Sequence, residues 1–393
     1  MSFIIKDLSY IHADKEILFS HLHLSINSGD KIALTGNNGC GKSTLMRILA
    51  GDLSPSSGTV LRPEHLYYVP QHFGQYDRQT VAQALGISHK LSALHAILSG
   101  DAAEKHFNTL DDDWNVEEHA LASLDNWGLD GIPLSRPMER LSGGEKTRIF
   151  LAGMELHNPT AILLDEPTNY LDIQSVRWLE NFLLDFENTV IVVSHDRHFL
   201  NKVCTHICDV DFGKIQMYVG NYDFWYEYTQ MRQRQARDQN KKNEQKIKEL
   251  QAFIARFSAN AAKSKQATSR KKQLDALEMI DMPVSSRRFP FVDFKPDREC
   301  GNDLLRVDHL TKTIGDRKVL DDISFVIHPR EKVAFVGADA MAKTTLFKII
   351  MGEMEPDEGE YKWGVTTTQS YFPSDNSAYF DGVDLTLIDW LRQ

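Results

Sequence analysis

The fold of this chain is decided by the stretch GNNGCGKST, residues 36–44. Its glycines let the backbone turn tightly and present N–H groups to an anion, Lys42 reaches toward phosphates, and the Ser43 hydroxyl is placed for Mg²⁺. An apolar run precedes the loop and a predicted helix follows it, so the positive end of a helix dipole adds to the attraction. The stretch therefore predicts a nucleotide-phosphate site. Its predicted contacts are Gly36, Asn37, Asn38, Gly39, Cys40, Gly41, Lys42, Ser43 and Thr44.

Two carboxylates end the apolar run AILLDE, residues 161–166. Such a run predicts a buried strand, and parallel strands place their ligands at their carboxyl ends, beside the loop. Asp165 suits Mg²⁺ coordination, directly or through water, and Glu166 is placed to polarise the attacking water or accept its proton. Taken alone, the pair is equally explained as a charge cluster that caps a helix. Together with the loop, it predicts a catalytic pair.

A second anion site is predicted at LSGGEK, residues 141–146, which precedes a helix. Its small residues open N–H groups at the helix start, although a plain helix entry explains the motif when it stands alone. The residues concerned are Leu141, Ser142, Gly143, Gly144 and Glu145.

The chain repeats itself, because residues 8–60 align with residues 310–361. The second loop, GADAMAKTT at 337–345, has alanine at two positions where glycine is expected, and alanine resists positive φ. We expect it still to bind nucleotide, less securely, after a buried strand at 332–337. The residues it retains for this are Gly337, Lys343, Thr344 and Thr345.

The repeat divides the 393 residues into three parts. Residues 1–220 are predicted to form a first α/β nucleotide-binding domain with a helical subdomain at about 75–158. Residues 221–303 form a basic connector, interpreted as a hairpin of two helices, and residues 304–393 form the N-terminal part of a second domain. Residues 230–272 hold 13 Lys or Arg against 3 Asp or Glu, although the whole chain carries −11. This asymmetry indicates a polyanionic partner, and a solvated helical spacer is the alternative.

Five motifs in sequence order resemble the ATP-binding cassette (ABC) ATPases: GNNGCGKST, Gln71 in YYVPQHF, LSGGEK, AILLDEPTNYLD and IVVSHDRHF. The resemblance covers the first 220 residues throughout. It implies a P-loop cassette that hydrolyses ATP with Mg²⁺, in which LSGGEK contacts the γ-phosphate held by the opposite cassette. It further implies roles for Gln71 (near Mg²⁺ and the water), Asn169–Asp172 (cassette contact), His195 (γ-phosphate switch) and His12 (in place of an adenine-stacking aromatic).

Tandem cassettes joined by a charged helical connector resemble the ABC-F branch, whose members act on the ribosome. The resemblance implies that the connector approaches tRNA and rRNA, with its tip at roughly Phe257–Ser264. An ATPase subunit of a membrane transporter is the alternative from another class, and a DNA-repair ATPase is a third. The tandem layout and the basic connector oppose the transporter.

The second domain stops soon after Gln369, before any signature or carboxylate strand. We therefore expect this polypeptide to bind ATP but to hydrolyse it slowly, unless two copies pair through their first cassettes. The sequence shows neither a signal peptide nor an apolar stretch of about 18 residues, which predicts a cytoplasmic protein without membrane spans.

Overall fold

The computed structural model describes residues 3–12, 15–211, 213–257, 303–337, 339–373 and 385–390, together with residues 272, 301 and 379. The chain divides into two compact units, Met1–Phe289 and Pro290–Gln393. Each unit is described by itself below.

A six-stranded sheet in the order β5-β6-β7-β3-β8-β9 forms the centre of the first unit. The first five strands in this order are parallel, and β9 runs antiparallel to β8. Every residue of β6 and β7 is buried, as expected for parallel strands that are covered on both faces. The strands are β3 (Lys31–Gly36), β5 (Leu66–Val69), β6 (Ala161–Asp165), β7 (Thr189–Val193), β8 (His206–Asp211) and β9 (Lys214–Val219).

One face of this sheet packs against a smaller antiparallel sheet and helix α1 (Lys42–Ala50). The smaller sheet has the order β2-β1-β4, with β1 at Phe3–Ile11, β2 at Ile17–Ile26 and β4 at Ser57–Leu61. Because side chains alternate along a strand, Ile32 and Leu34 of β3 enter this core while Ala33 enters the core on the other face. The phosphate loop is thus carried by a strand that is packed on both sides.

Helices cover the other face of the six-stranded sheet. Five of them lie between residues 81 and 157, inside the interval predicted to be the helical subdomain, and the limits of that subdomain stay a prediction. The helices are α2 (Val81–Ala84), α3 (Ser88–Leu98), α4 (Glu104–Leu110), α5 (Val116–Asn126), α6 (Gly143–His157), α7 (Ile173–Asp185) and α8 (Arg197–Val203).

The predicted first helix of the connector is present as α9, Tyr222–Phe257, with 36 residues. At 1.5 Å per residue it extends roughly 54 Å. Buried positions Asn240, Asn243 and Leu250 fall on one face at helical spacing, so that face is covered. The second helix of the predicted hairpin lies outside the described residues, as does the tip beyond Phe257.

The second unit repeats the small antiparallel sheet of the first, in the order β11-β10-β12. Both copies have two left-handed residues at matching places, Asp7 and His21 in the first and His309 and Asp322 in the second. In both, an Asp–His pair joins the two strands, at 2.7 Å and 2.6 Å, with the two residue types exchanged. The elements are β10 (Leu305–Ile314), β11 (Arg317–Ile327), β12 (Glu358–Trp363), α10 (Ala340–Ile350) and α11 (Leu387–Trp390).

The prediction of a buried strand at 332–337 is wrong. These residues form no strand, and Val333 and Val336 are 50% and 77% exposed. The corresponding β3 of the first unit is held between β7 and β8. Among the described residues of the second unit no parallel strand is available to pair with 332–337, so the apolar run has no ladder to join.

None of the helices in the described part of the chain is long and apolar enough to cross a bilayer.

Truncation of the core strand β6 tests the central role of the sheet. Leu163→Ala is expected to lower the free energy of unfolding by about 2–5 kcal/mol, because a fully buried leucine leaves a cavity. Leu61→Ala on β4 is the control, since Leu61 is 58% exposed, and it is expected to cost less than about 1 kcal/mol. Urea unfolding followed by circular dichroism measures both. Equal losses in the two variants would contradict this view of the core.

Candidate nucleotide-binding site

The sheet order brings four predicted site segments to one edge. The loop follows β3, Gln71 follows β5, Asp165 ends β6 and His195 follows β7. Because β5, β6, β7 and β3 are parallel neighbours, all four segments leave from the carboxyl edge of the sheet. This is the edge at which open α/β sheets bind their ligands.

The phosphate loop has the geometry that its glycines predict. Gly39 and Gly41 have φ of 80° and 98°, in the left-handed region. A Cβ on Gly41 would lie 2.5 Å from the Phe19 ring, so this position also requires glycine for space. Helix α1 begins at Lys42 without a side-chain cap, which leaves its first turn suited to an anion.

The Lys42 ammonium group lies over the loop. Its Nζ donates to the carbonyl oxygens of Gly36 and Asn37, each at 2.9 Å. These contacts hold a cation at the mouth of the loop, where it can meet phosphate oxygens.

Asp165 is buried, at 2% exposure, and its carboxylate oxygens lack a well-formed hydrogen bond within the described part of the chain. Burial raises the pKa of Asp165, while the Ser43 hydroxyl, Lys42 and His72 act in the opposite direction. A buried carboxylate whose contact with a loop hydroxyl falls short of a well-formed hydrogen bond fits Mg²⁺, which takes oxygen ligands. When bound, Mg²⁺ would supply positive charge for the phosphates.

Glu166 and His195 meet at the ends of β6 and β7. The backbone N–H of His195 donates to Glu166 Oε2 at 3.3 Å, and His195 Nε2 lies 3.4 Å from Glu166 Oε1. Burial raises the pKa of Glu166; His195 opposes this shift and Asp165 adds to it. A carboxylate with a raised pKa beside an imidazole is suited to take a proton from water.

The backbone of Glu166 is in the left-handed region, with φ of 53°, which is costly for a residue with a side chain. Its N–H donates to the carbonyl of Val193 at 2.8 Å, so the neighbouring strand holds the turn. The turn directs the chain out of the sheet immediately after the two carboxylates.

The signature residues form a capped helix start. Ser142 caps α6, and the Glu145 carboxylate accepts hydrogen bonds of 2.7 Å from the Ser142 backbone N–H and from its hydroxyl. Burial raises the pKa of Glu145, but these hydrogen bonds, Arg136 and Arg148 together lower it. A Cβ on Gly144 would lie 2.8 Å from the Tyr170 carbonyl oxygen. Both halves of this contact come from motif segments, and Leu141 is buried beneath them.

His12 lies at the end of the β1–β2 hairpin, next to β1. Its ring is 5.2 Å from the ring of Tyr10 in an edge-to-face arrangement. The hairpin strand β2 also supplies Phe19, the residue against Gly41. His12 therefore lies at the end of the strand pair that borders the loop.

Three further residues belong to this edge and were not singled out from the sequence. His72 acts on Asp165, and the hydroxyls of Thr168 and Ser194 are 3.1 Å apart, joining the segments that follow β6 and β7. Each lies inside a motif stretch quoted from the sequence, YYVPQHF, AILLDEPTNYLD or IVVSHDRHF, and that membership is the only signal the sequence offers. The residues Gly337, Lys343, Thr344 and Thr345 are in the second unit, where Lys343 Nζ donates to the Gly337 carbonyl at 2.8 Å.

Comparison with known proteins identifies the family. A family profile described as ABC transporter matches residues 19–169 and 320–382, and a second profile with the same description matches residues 208–293. The chain belongs to the ATP-binding cassette (ABC) family of ATPases. The predicted α/β P-loop cassette fold is confirmed, and the chain is an ATP-binding ABC protein.

Three relatives illustrate its place in the family. The chain is 48% identical over 408 residues to the uncharacterized ABC transporter ATP-binding protein YkpA of Bacillus subtilis, covering 99% of this chain and 75% of that protein. It is 37% identical over 398 residues to the probable ATP-binding protein YbiT of Escherichia coli O157:H7, covering 96% and 74%. It is 33% identical over 373 residues to the energy-dependent translational throttle protein EttA of Haemophilus influenzae, covering 90% and 66%.

Substitution of Asp165 tests its burial as a carboxylate. A raised pKa in the folded state means that the ionised side chain opposes folding above that pKa, and that the penalty disappears as the pH falls to the unfolded value, near 3.8. Asp165→Asn is therefore expected to stabilise the nucleotide-free protein at neutral pH, with a gain that shrinks toward acid.

Urea unfolding at pH 7.5, 6 and 4.5 in the absence of Mg²⁺ measures this gain, which is expected to be largest at the highest pH. Asp130→Asn, at an exposed position, is the control. A loss of stability in Asp165→Asn at neutral pH would contradict the assignment.

Proposed function

We propose that this chain is an ABC-F-type ATPase that acts on the ribosome, where ATP-dependent closure of its cassettes sets the position of α9 near tRNA and rRNA. One observation carries the proposal. The nucleotide-binding cassette continues directly into a 36-residue helix with a basic exposed face. A helix of this length and charge is suited to an extended polyanion.

The proposed nucleotide site uses the residues gathered at the sheet edge. The loop from Gly36 to Thr44 holds the phosphates, while Ser43, Gln71 and Asp165 hold Mg²⁺. Glu166 acts as the base for the attacking water, and Gln71 and His195 position that water and the γ-phosphate. His12 borders the adenine.

A signature from another cassette completes this site. Residues 1–393 contain one LSGGEK motif, so the signature facing the loop at 36–44 comes from a second copy of the chain or from sequence outside these residues. Leu141–Glu145 in turn serve a nucleotide held elsewhere. Pairing of two chains through their first cassettes is the arrangement we propose for the isolated polypeptide.

The charge on α9 favours a nucleic-acid partner. Lys241, Lys242, Lys246 and Lys248 are exposed, and the face that contains Asn243 and Leu250 is buried. One face is thus used for packing, while the lysines remain available for phosphates. Binding that depends mainly on phosphates is expected to weaken steeply with salt.

Contacts at the root of α9 join it to the nucleotide site. The guanidinium of Arg197, two residues after His195, lies 5.6 Å and 5.5 Å from the ring centres of Tyr222 and Tyr226. The Asn201 side chain accepts a hydrogen bond of 2.8 Å from the Asp223 backbone. A shift of the segment that begins at His195 would therefore move the root of α9 with it.

The name of the H. influenzae relative, a translational throttle protein, supports a role in translation. A transporter ATPase subunit is the alternative, because the matched profiles and the B. subtilis relative carry the words ABC transporter. A 36-residue basic helix between cassettes favours the ribosome.

Replacement of the proposed base, Glu166, distinguishes a ribosome-bound ATPase from a transporter subunit. Glu166→Gln is expected to lower ATP hydrolysis at least 100-fold while ATP is still bound, because the variant keeps the shape of the side chain but cannot accept the proton. With ATP, this variant is expected to sediment with ribosomes, and to leave them when ADP replaces ATP.

Wild-type protein with ADP is the control for sedimentation. ATP hydrolysis by Glu166→Gln at the wild-type rate would contradict the proposed role of Glu166. Binding to a membrane fraction, with none to ribosomes, would favour the transporter alternative.

Removal of charge from α9 tests the proposed partner surface. Replacing Lys241, Lys242, Lys246 and Lys248 by glutamine is expected to weaken ribosome binding at least tenfold at about 0.1 M salt and to flatten its salt dependence. The control replaces four exposed lysines elsewhere, Lys6, Lys15, Lys105 and Lys214, and changes the net charge equally. Equal effects of the two sets on ribosome affinity would contradict the assignment of α9.

A further inference from the structure

The second phosphate loop differs from the first at the point where its helix begins. Helix α1 begins at Lys42, after two glycines with positive φ. Helix α10 begins at Ala340, three residues before the equivalent lysine, Lys343. The helix of the second loop therefore extends over the positions at which the first loop stays open.

A carboxylate of the chain itself occupies the start of α10. Asp339 Oδ1 accepts hydrogen bonds from the backbone N–H groups of Met341 at 2.9 Å and Ala342 at 3.2 Å. Asp339 Oδ2 accepts one of 2.8 Å from the guanidinium of Arg317. These N–H groups correspond in the alignment to those of Cys40 and Gly41 in the first loop.

The first loop has a neutral side chain at this place. Asn38 aligns with Asp339, and α1 has no side-chain cap. A carboxylate at a helix start satisfies the N–H groups and the helix dipole that would otherwise attract a phosphate, and its charge repels the phosphate as well.

We propose that Asp339 is an internal anion that closes the second phosphate loop, held in place by Arg317, and that MgATP reaches this loop only when Asp339 leaves the helix start. The inference goes beyond the proposed function and rests on it only in taking residues 36–44 as the first ATP site. The Lys343 ammonium group donates to the Gly337 carbonyl, as that of Lys42 does to Gly36. The second loop therefore keeps its phosphate-binding cation while Asp339 occupies the helix start.

A single substitution is expected to weaken the hold of residue 339 on the helix start. The Arg317 side chain is 68% exposed and that of Asp339 is 30% exposed, and ion pairs with this exposure are weak. Asparagine caps helices as well as aspartate does, so Asp339→Asn keeps the helix start folded. The variant removes the charge that repels phosphate and that Arg317 holds in place, so phosphate can displace the side chain from the helix start.

Titration calorimetry of the full chain with MgATP tests the proposal, with the first loop silenced by Lys42→Ala. The double variant Lys42→Ala/Asp339→Asn is expected to bind MgATP at least tenfold more tightly than Lys42→Ala alone, and addition of Lys343→Ala is expected to abolish that gain. Unchanged affinity on Asp339→Asn would overturn the proposal. So would a Lys42→Ala protein that already binds as tightly as the double variant.

A reciprocal substitution tests the same chemistry without relying on the second unit. Asn38→Asp places a carboxylate in the first loop and is expected to weaken MgATP binding at least tenfold, whereas Asn115→Asp, at an exposed position, leaves it unchanged. Equal affinity of Asn38→Asp and wild type would overturn the role of the carboxylate. Wild-type binding that does not depend on Lys42 would instead overturn the first ATP site. In that case the part of the gain on Asp339→Asn that Lys343→Ala abolishes would still decide on Asp339.

Discussion

Parallel pairing of β3 with β7 and β8 positions the candidate nucleotide site of this cassette. The pairing holds the phosphate loop at the carboxyl edge of the sheet, and the pairing of β6 with β7 places the two carboxylates at the same edge. The second unit shows the importance of this constraint. A closely similar apolar run at 332–337, without such neighbours among the described residues, forms no strand.

Burial of two carboxylates is the main electrostatic cost of the candidate site. Asp165 and Glu166 are both almost completely buried, and burial raises the pKa of each. Neighbouring groups reduce this cost: the Ser43 hydroxyl, Lys42 and His72 lower the pKa of Asp165, and His195 and Lys42 lower the pKa of Glu166. A bound cation would remove more of this cost. The left-handed backbone at Glu166 adds local strain at the same point.

Local sequence patterns predicted many residues of this candidate site but few of the contacts between them. The loop, the strand at 161–165 and a helix after the signature follow from glycine spacing and apolar runs, which act over a few residues. The start of that helix at Gly143 and its Ser142–Glu145 capping box were seen only in the structure. The contact between Glu166 and His195 needed the order of β6 and β7, and the packing of Tyr170 on Gly144 needed the fold of two distant segments. The sequence did not predict the proposed closure of the second loop, because Asp339 resembles an ordinary loop residue. Its hydrogen bond to Arg317, at the start of β11, depends on the fold. The domain limits, the site roles and the hairpin tip stay predictions.

The two loops are related in sequence but differ at the start of the helix that follows each of them. In the first loop this start has no side-chain cap, whereas in the second loop Asp339 caps it. The number of MgATP molecules that each wild-type chain binds, measured by titration calorimetry, tests this difference between the loops most directly. If the second loop is closed, each chain binds a single tight MgATP, which is held at residues 36–44 and is lost on Lys42→Ala. Two equivalent tight sites for each chain, or a single site that survives Lys42→Ala, would contradict it.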